Sequence, residues 1–156
     1  MTIRDEIHVP KLAMLYEYWD AKRRGRPYPS RNDIDPTEIA FVLGFIDLLE
    51  VEPGNPPVFR FRLCGTRTDE EDGFTMQGKT VDDYPLPKHR EQARAAYLRV
   101  LATGEPDYEE ILRGNEGRFI RFARMVLPLS SDGKTIDMLC MARVPLPRSH
   151  LGEPVE

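Results

Sequence analysis

The last third of the chain contains DYEEIL (107–112), GRFIRFARMVLPL (117–129) and KTIDMLCMARV (134–144), three segments of strand-like composition. They are separated by GNEG (114–117) and SSDG (130–133), whose Gly, Asn, Asp and Ser residues favour tight turns. Strands joined by tight turns pair antiparallel, so these segments predict a three-stranded meander. The last segment is apolar on both faces, which indicates that both sides of the sheet are covered there.

Two more strands are predicted upstream of the meander. IDLLEV (46–51) and VFRFRLC (58–64) flank the turn-forming segment EPGNPP, which predicts a hairpin. Phe59, Phe61 and Leu63 alternate with their neighbours in the second strand, so we expect that face to enter the core.

Helical patterns precede and separate the strands. One helix is predicted from about Lys11 to Arg24, a second begins at Asp35 with Glu38 completing a capping box, and a long helix runs from about Lys88 to Thr103. Strands that cluster without regular strand–helix alternation indicate an α+β fold. We expect a five-stranded antiparallel sheet with helices on one face, an N-terminal helix capping the other face, and an apolar pocket beneath the long helix.

Length and composition narrow the class of protein. The 156 residues are 40% apolar and 31% charged, with a net charge of −4, which is typical of one globular domain. The negative charge argues against a dedicated nucleic-acid or membrane-surface binder. The sequence has no 18-residue apolar run and no signal-peptide pattern, so we expect a cytoplasmic protein.

Residues 73–80, GFTMQGKT, match the phosphate-loop pattern GxxxxGK[ST]. Such a loop needs a buried strand before Gly73 and a helix that begins at Lys79. The preceding residues TDEED are acidic, and the following VDDYPLP contains two prolines where the helix should run. A solvated turn is the preferred interpretation, and a nucleotide-binding hydrolase using Lys79 and Thr80 is the enzyme alternative.

The segment KRRGRP (22–27) contains the Arg24-Gly25-Arg26-Pro27 core of an AT-hook, which binds the minor groove of A·T-rich DNA. The end of a basic helix closed by glycine and proline produces the same residues. A DNA-associated regulator acting through Arg24 and Arg26 therefore stays an alternative.

Arg118, Arg121 and Arg124 alternate with Phe119 and Phe122, a pattern that also occurs where aromatic residues stack on single-stranded RNA. The ordered RNA-binding signature is missing, so we expect arginines on an exposed strand face that pair with carboxylates.

Catalytic motifs are not found. The histidines are His8, His89 and His150, and none stands in a metal-binding spacing. Cys64 and Cys140 are far apart and are expected to be reduced, packed thiols. The acidic run at residues 69–72 fails the calcium-loop spacing and is expected to begin a short helix capped by Thr66.

The chain resembles the PAS domains, and within them the short stand-alone bacterial PAS proteins. The resemblance covers about residues 10 to 144 and depends on an ordered set of short matches: Trp19, Arg26, Pro29-Ser30-Arg31, Asp33-Ile34-Asp35-Pro36, the strand FRFRLCGT ending in Gly65-Thr66, Gly78-Lys79 with Asp82, Tyr97, Gly104, Pro128-Leu129, Asp132-Gly133 and Asp137-Met138-Leu139.

The resemblance implies an N-terminal helix and connector (1–34), a PAS core (35–144) and a flexible tail (145–156). It also implies a sensory cavity on the concave face of the sheet. Light-sensing relatives carry an Asn-Cys-Arg-Phe motif that has no match here, and haem-binding relatives have a histidine in the body of the long helix, where residues 91–101 have none. The cofactor is therefore unknown, and the sequence argues against haem and flavin.

The resulting hypothesis is a non-enzymatic sensory or regulatory PAS protein. No kinase, cyclase or DNA-binding domain is recognised in the sequence, so we expect it to act through a protein partner with an output domain and to form a homodimer. The residues predicted to line the cavity or core, and so to bind a small apolar ligand, are Phe61, Leu63, Phe74, Tyr97, Leu101, Phe122, Leu139 and Met141. The residues predicted to face a partner or second copy are Leu12, Leu15, Trp19, Arg60 and Arg62, although the helical three could equally pack on the chain's own sheet.

Overall fold

The computed structural model describes residues 3–115 and 118–147. Its five strands form one antiparallel sheet in the order β2-β1-β5-β4-β3. The strands are β1 (Ile46–Glu52), β2 (Val58–Leu63), β3 (Asp107–Asn115), β4 (Arg118–Leu129) and β5 (Met138–Pro145). The helices are α1 (Ile3–Glu6), α2 (Pro10–Arg23), α3 (Thr66–Asp72) and α4 (Pro87–Thr103). The predicted α+β fold with one antiparallel sheet is confirmed. Most of the predicted tail, residues 148–156, lies outside the described residues.

The strand order follows from the two predicted strand groups. β3, β4 and β5 pair in sequence as the predicted meander, and β5 then lies against β1, which pairs with β2 in the predicted hairpin. β5 is thus an inner strand with both faces covered, as its two apolar faces indicated.

Helix α2 covers one face of the sheet, here called the convex face. Pro10 occupies its first position, where no backbone N–H is needed, and Arg24 ends it in the left-handed conformation before Gly25. Leu12, Leu15 and Trp19 are buried against the chain's own sheet, and the Trp19 Nε1 donates a hydrogen bond to the Pro128 carbonyl at 2.9 Å.

The second predicted helix is not an α-helix. Residues 36–39 and 43–45 form two separate 3-10 turns. Asp35 caps the first turn by accepting from the Thr37 N–H, but Glu38 accepts from the Tyr18 hydroxyl and does not complete a capping box. Ile39, the last residue of the first turn, and Val42, which precedes the second, are both buried.

Helix α4 covers the other face of the sheet, here called the concave face. Its buried residues Ala93, Ala96, Tyr97 and Val100 repeat at helical spacing, and Gly104 ends the helix at a φ of 71°. They pack on Leu49, Phe59, Phe61, Val126, Leu139 and Met141 from four strands. Below the centre of α4 the interior is therefore filled by side chains.

Helix α3 connects β2 to the region of α4. It begins after Gly65 and not at a capping Thr66, since its N-cap residue is Gly65 and makes no side-chain cap. Gly73 ends it at a φ of 81°. None of the helices within residues 3–115 and 118–147 is long and apolar enough to cross a membrane.

Candidate functional site

A cavity of about 390 Å³ lies on the concave side, between α3, the start of α4 and the ends of β3, β4 and β5. Its wall is mixed. The apolar lining residues are Phe45, Phe74, Pro85, Leu86, Ile120, Phe122 and Pro145. The polar lining residues are Arg67, Thr68, Glu71, Asp72, His89, Arg113 and Arg143.

Three arginines project from the concave face of the sheet at this end. Arg124 and Arg143 are 1% and 4% exposed and lie directly opposite each other on β4 and β5. Arg113 lies on β3, opposite the cavity residue Ile120. The two-residue period of the strands places all three side chains on one face. Such a concentration of interior positive charge requires anionic partners.

Two of these arginines have carboxylate partners. Arg143 forms an ion pair with Asp72 at 2.6 Å, and Arg124 forms one with Glu109 at 2.6 Å. In the described part of the chain, no carboxylate forms an ion pair with Arg113, and its Nε is buried without a hydrogen-bond partner. Arg113 is therefore the cation whose charge is least compensated.

Two of the guanidinium groups make cation–π contacts with the ring of Phe122. The Cζ atoms of Arg113 and Arg143 lie 5.0 and 5.1 Å from its centroid, and Arg113 is also 5.5 Å from the ring centroid of Tyr84. Cation–π contacts of this kind stabilise a desolvated cation. Burial and, next, the charge of Arg143 lower the pKa of Arg113 to about 10, which leaves it charged at neutral pH.

Two more titratable groups belong to this region. Burial raises the pKa of Asp47 to about 7, although its carboxylate accepts from the Gly65 N–H at 2.9 Å and lies near Arg143. Burial and the neighbouring Arg113 lower the pKa of His89, a cavity residue, to about 4. At neutral pH the imidazole is neutral, so it can offer one donor and one acceptor to a bound molecule.

Two classes of chemical group, metal-ligand clusters and ionised thiols, are not found among the described residues. The described residues contain no group of three or more His, Cys, Asp or Glu side chains that could hold a metal ion. Burial raises the pKa of both Cys64 and Cys140 to about 12, so neither thiol is ionised at neutral pH.

The eight predicted ligand residues divide between different places. Phe74 and Phe122 line the cavity. Four others are buried in the packed cluster beneath α4, namely Phe61, Tyr97, Leu139 and Met141. Leu101 is partly buried and packs against this cluster. The Tyr97 hydroxyl is buried without a hydrogen-bond partner among the described residues, and burial raises its pKa. The ligand-binding role of these residues stays a prediction.

The expected interior position of Leu63 is wrong, because this side chain is 43% exposed. The pairing of β1 with β2 shifts register between Leu48 and Leu49, so Leu63 lies opposite Leu48. An unbroken ladder would have placed it opposite Asp47. The irregularity turns the last residue of an edge strand away from the concave face.

Three of the five predicted interface residues are buried and two are exposed. Leu12, Leu15 and Trp19 are buried within their own chain, so they do not form an exposed surface. Arg60 and Arg62 are exposed on β2 and pair with Glu52 at 2.6 Å and Glu50 at 3.5 Å. Of the five predicted interface residues, only Arg60 and Arg62 are exposed and so accessible to a partner.

The segment 73–80 does not have the geometry of a phosphate loop. It follows helix α3 rather than a buried strand, and a 3-10 turn at residues 81–83 follows it. The Gly78 N–H donates to the Phe61 carbonyl, and the Phe61 N–H donates to the Lys79 carbonyl, both at 2.8 Å. The glycines thus allow the chain to cover the edge of β2.

Internal contacts account for one arginine in each of the two nucleic-acid motifs. Arg26 donates to Asp33 at 2.6 Å and to the carbonyls of Lys22 and Arg23, which ties the RGRP segment to the end of α2. The expectation that Arg124 lies on an exposed strand face is wrong, because strand alternation places it with Phe122 on the buried concave face.

Five residues of this region were not predicted from the sequence as site residues: Asp47, Asp72, His89, Arg113 and Arg143. One signal was present: Arg143 is a lone charged residue in an otherwise apolar, two-faced strand, and buried charges need partners. The others could not be found this way, because they come from α3, α4, β1 and β3 and meet only in the folded chain.

An antiparallel five-stranded sheet with α4 across its concave face and a cavity at one side defines an α+β fold. The sequence model of the PAS domain family matches residues 7–141. The chain therefore belongs to the PAS domain family. No curated protein sequence matches it.

Solved structures support the same fold. The Rhodobacter sphaeroides LOV protein is similar at 15% identity and a TM-score of 0.52, covering 77% of this chain and 73% of that one. The PAS domain of Bordetella pertussis BvgS has 22% identity and a TM-score of 0.53, covering 72% and 86%. Vibrio cholerae VqmA has 13% identity and a TM-score of 0.54, covering 74% of this chain and 53% of its own.

Proposed function

We propose that this chain is a non-enzymatic, cytoplasmic sensory PAS protein that binds a small amphipathic molecule in the 390 Å³ cavity. The observation that carries the proposal is a cavity with one apolar wall and buried, incompletely partnered polar groups in the other. Small-molecule sites commonly have this volume and combine an apolar lining with a few convergent polar groups.

The unpartnered groups favour a ligand over simple packing. The hydroxyl of Thr68, a residue that is 3% exposed, and the Nε of Arg113 are both buried without a hydrogen-bond partner among the described residues. Buried polar atoms nearly always have partners, and an unpaired one costs about 1–3 kcal/mol. A molecule in the cavity could supply these bonds.

The cavity is placed so that its occupation could be transmitted. Asp72 and Thr68 belong to α3, whereas Arg143, the partner of Asp72, belongs to β5. A ligand that contacts both elements changes the energy of their ion pair, which couples the position of α3 to the sheet. A protein partner with an output domain would then respond to α3 or to the exposed arginines of β2.

Mass spectrometry and NMR test the binding proposal. The protein is purified, denatured and extracted, and any released small molecule is identified; the molecule is then added back to protein carrying labelled isoleucine methyl groups. We expect the signal of Ile120, which lines the cavity, to shift, and that of Ile34, buried on the convex face, to stay. If no molecule copurifies and a library of small fragments leaves Ile120 unshifted, the cavity is not a ligand site.

A second candidate function is protein binding, including homodimerisation, without a ligand. Phe119 is 64% exposed and shares the convex face of the β3–β4 pair with the exposed Leu112. Exposed apolar side chains that lie together favour contact with another protein. The solution mass of wild-type protein and Phe119→Ser, measured over a range of concentrations, tests self-association: a dimer that dissociates in the variant supports it, and a monomer in both removes it.

A further inference from the structure

We propose that the cavity selects a carboxylate, or a comparable small anion, attached to an apolar body, and that Arg113 binds the anionic head. This inference rests on the proposed function and adds the chemical class of the ligand. The apolar body would lie against the wall that contains Phe74, Leu86 and Ile120.

The charges of the lining favour an anion. Among the described residues, three arginines and two carboxylates line the cavity, which leaves an excess of positive charge while His89 is neutral. Asp72 is already paired with Arg143, and the remaining carboxylate, Glu71, is exposed to solvent. Neither residue is an interior partner for Arg113.

The positions of the arginines also favour an anionic ligand. Arg143 lies directly opposite Arg124 in the sheet, and its guanidinium shares the Phe122 ring with that of Arg113. Like charges held this close destabilise each other unless an anion lies among them. Arg124 has Glu109 and Arg143 has Asp72, so a third negative group is needed near Arg113.

Donors for a carboxylate are available in the lining. The Arg113 Nε and the Thr68 hydroxyl are buried and unpartnered among the described residues, and a guanidinium can bind a carboxylate through two parallel hydrogen bonds. A ligand ammonium group would instead face the arginines and would be repelled. An alcohol could use the same donors but would leave the positive charge uncompensated.

The experiment compares ligands that differ only in the head group. Phenylpropanoate, phenylpropanol and phenylpropylamine share one apolar body, and phenylethyl phosphate tests whether a phosphate monoester serves as well. Binding is measured by calorimetry and by the shift of the Ile120 methyl signal, with Ile34 as the internal control. We expect phenylpropanoate to bind at least tenfold more tightly than the alcohol and the amine to leave the signal unshifted.

Variants test the role of Arg113. We expect Arg113→Gln to weaken phenylpropanoate roughly tenfold or more, because hydrogen bonds to charged groups are about twice as strong as neutral ones. Arg113→Lys keeps the charge but loses the planar pair of donors. Its affinity for phenylpropanoate should therefore lie between those of the wild type and Arg113→Gln. Arg62→Gln, which removes an exposed arginine on β2 away from the cavity, is the matched control and should leave the affinity unchanged.

The outcomes separate this inference from the proposed function. Equal affinity for the acid and the alcohol, or full affinity in Arg113→Gln, overturns the anion assignment and leaves a cavity that binds neutral ligands. If none of the four compounds shifts Ile120, the anion assignment also fails, and the fragment library above decides whether the cavity binds anything. The comparison of head groups in the wild-type protein gives a result even if Arg113→Gln does not fold.

Discussion

The indole Nε1 of Trp19 donates a hydrogen bond to the backbone carbonyl of Pro128 at 2.9 Å, and both groups are buried. This bond joins α2 to β4 across the convex face, where Leu12, Leu15 and Trp19 are buried against the chain's own sheet. An aromatic face that the sequence leaves available to a partner is thereby used inside the domain.

Replacing Trp19 by Phe keeps most of the packing and removes the donor. We expect the free energy of unfolding to fall by about 1–3 kcal/mol, because the Pro128 carbonyl stays buried without a partner. Urea unfolding followed by circular dichroism measures the change, and Tyr16→Phe on the same helix is the control. Unchanged stability together with an altered solution mass would instead indicate that the indole lies between two copies.

Asp47 should make the protein less stable as pH rises. Its folded-state pKa is raised from 3.8 to about 7, mainly by burial, while the Gly65 N–H and Arg143 oppose the shift and Asp69 and Asp72 add to it. The folded state therefore holds the proton more tightly, and stability is lost between about pH 4 and pH 7. Asp47→Asn keeps an acceptor for Gly65 and cannot ionise.

The variant's melting temperature should accordingly exceed that of the wild type above pH 7 and match it below pH 3.8. Each unit of pKa shift corresponds to about 1.4 kcal/mol, so the expected difference is several degrees. A constant difference across the whole pH range would show that Asp47 does not titrate in this window.

His89 should make the protein less stable as pH falls. Burial and Arg113 lower its pKa from 6.5 to about 4, so the folded state holds the proton less tightly and stability is lost as pH falls through this window. We expect His89→Gln to be more stable than the wild type near pH 4 and equal to it above pH 6.5. Thermal melts of this variant and of the control His8→Gln test the assignment, which fails if the two variants behave alike.

Gly65 is required by a close backbone contact. A Cβ at this position would lie 2.3 Å from the Gly44 carbonyl oxygen and 2.9 Å from that of Ile46. We expect Gly65→Ala to cost about 3 kcal/mol, because backbone atoms must move. Gly73→Ala is the matched control, since only its φ of 81° opposes a side chain, at about 1–2 kcal/mol. Denaturant unfolding of both variants should show the larger loss for Gly65→Ala.

Lys79 should not bind a nucleotide, because the segment around it covers the edge of β2 and does not surround an anion. We expect calorimetry to detect no ATP binding in the wild type or in Lys79→Ala, and the two proteins to have the same melting temperature within error. Measurable ATP affinity that disappears in Lys79→Ala would restore the hydrolase hypothesis.

Local pattern was sufficient where one periodic signal extended over a whole element. The two long helices and the three-stranded meander were predicted because helical periodicity and turn residues depend on neighbouring residues only. The pattern failed at residues 36–45, which form two 3-10 turns instead of an α-helix, and at Leu63, where a register shift intervened. The register belongs to the pairing of β2 with β1, which the pattern of one strand does not specify.

The amino-acid sequence determined the antiparallel sheet and the covering helices, because alternation, turn residues and helix ends are encoded locally. An ordered set of short matches carried the resemblance to the PAS family. Only the tertiary structure decided where the charges gather. Arg113, Arg124 and Arg143 come from three strands, and Thr68 and Asp72 come from α3. They gather on the concave side because the register of the sheet and the packing of α3 bring them together, and no spacing along the chain records that register.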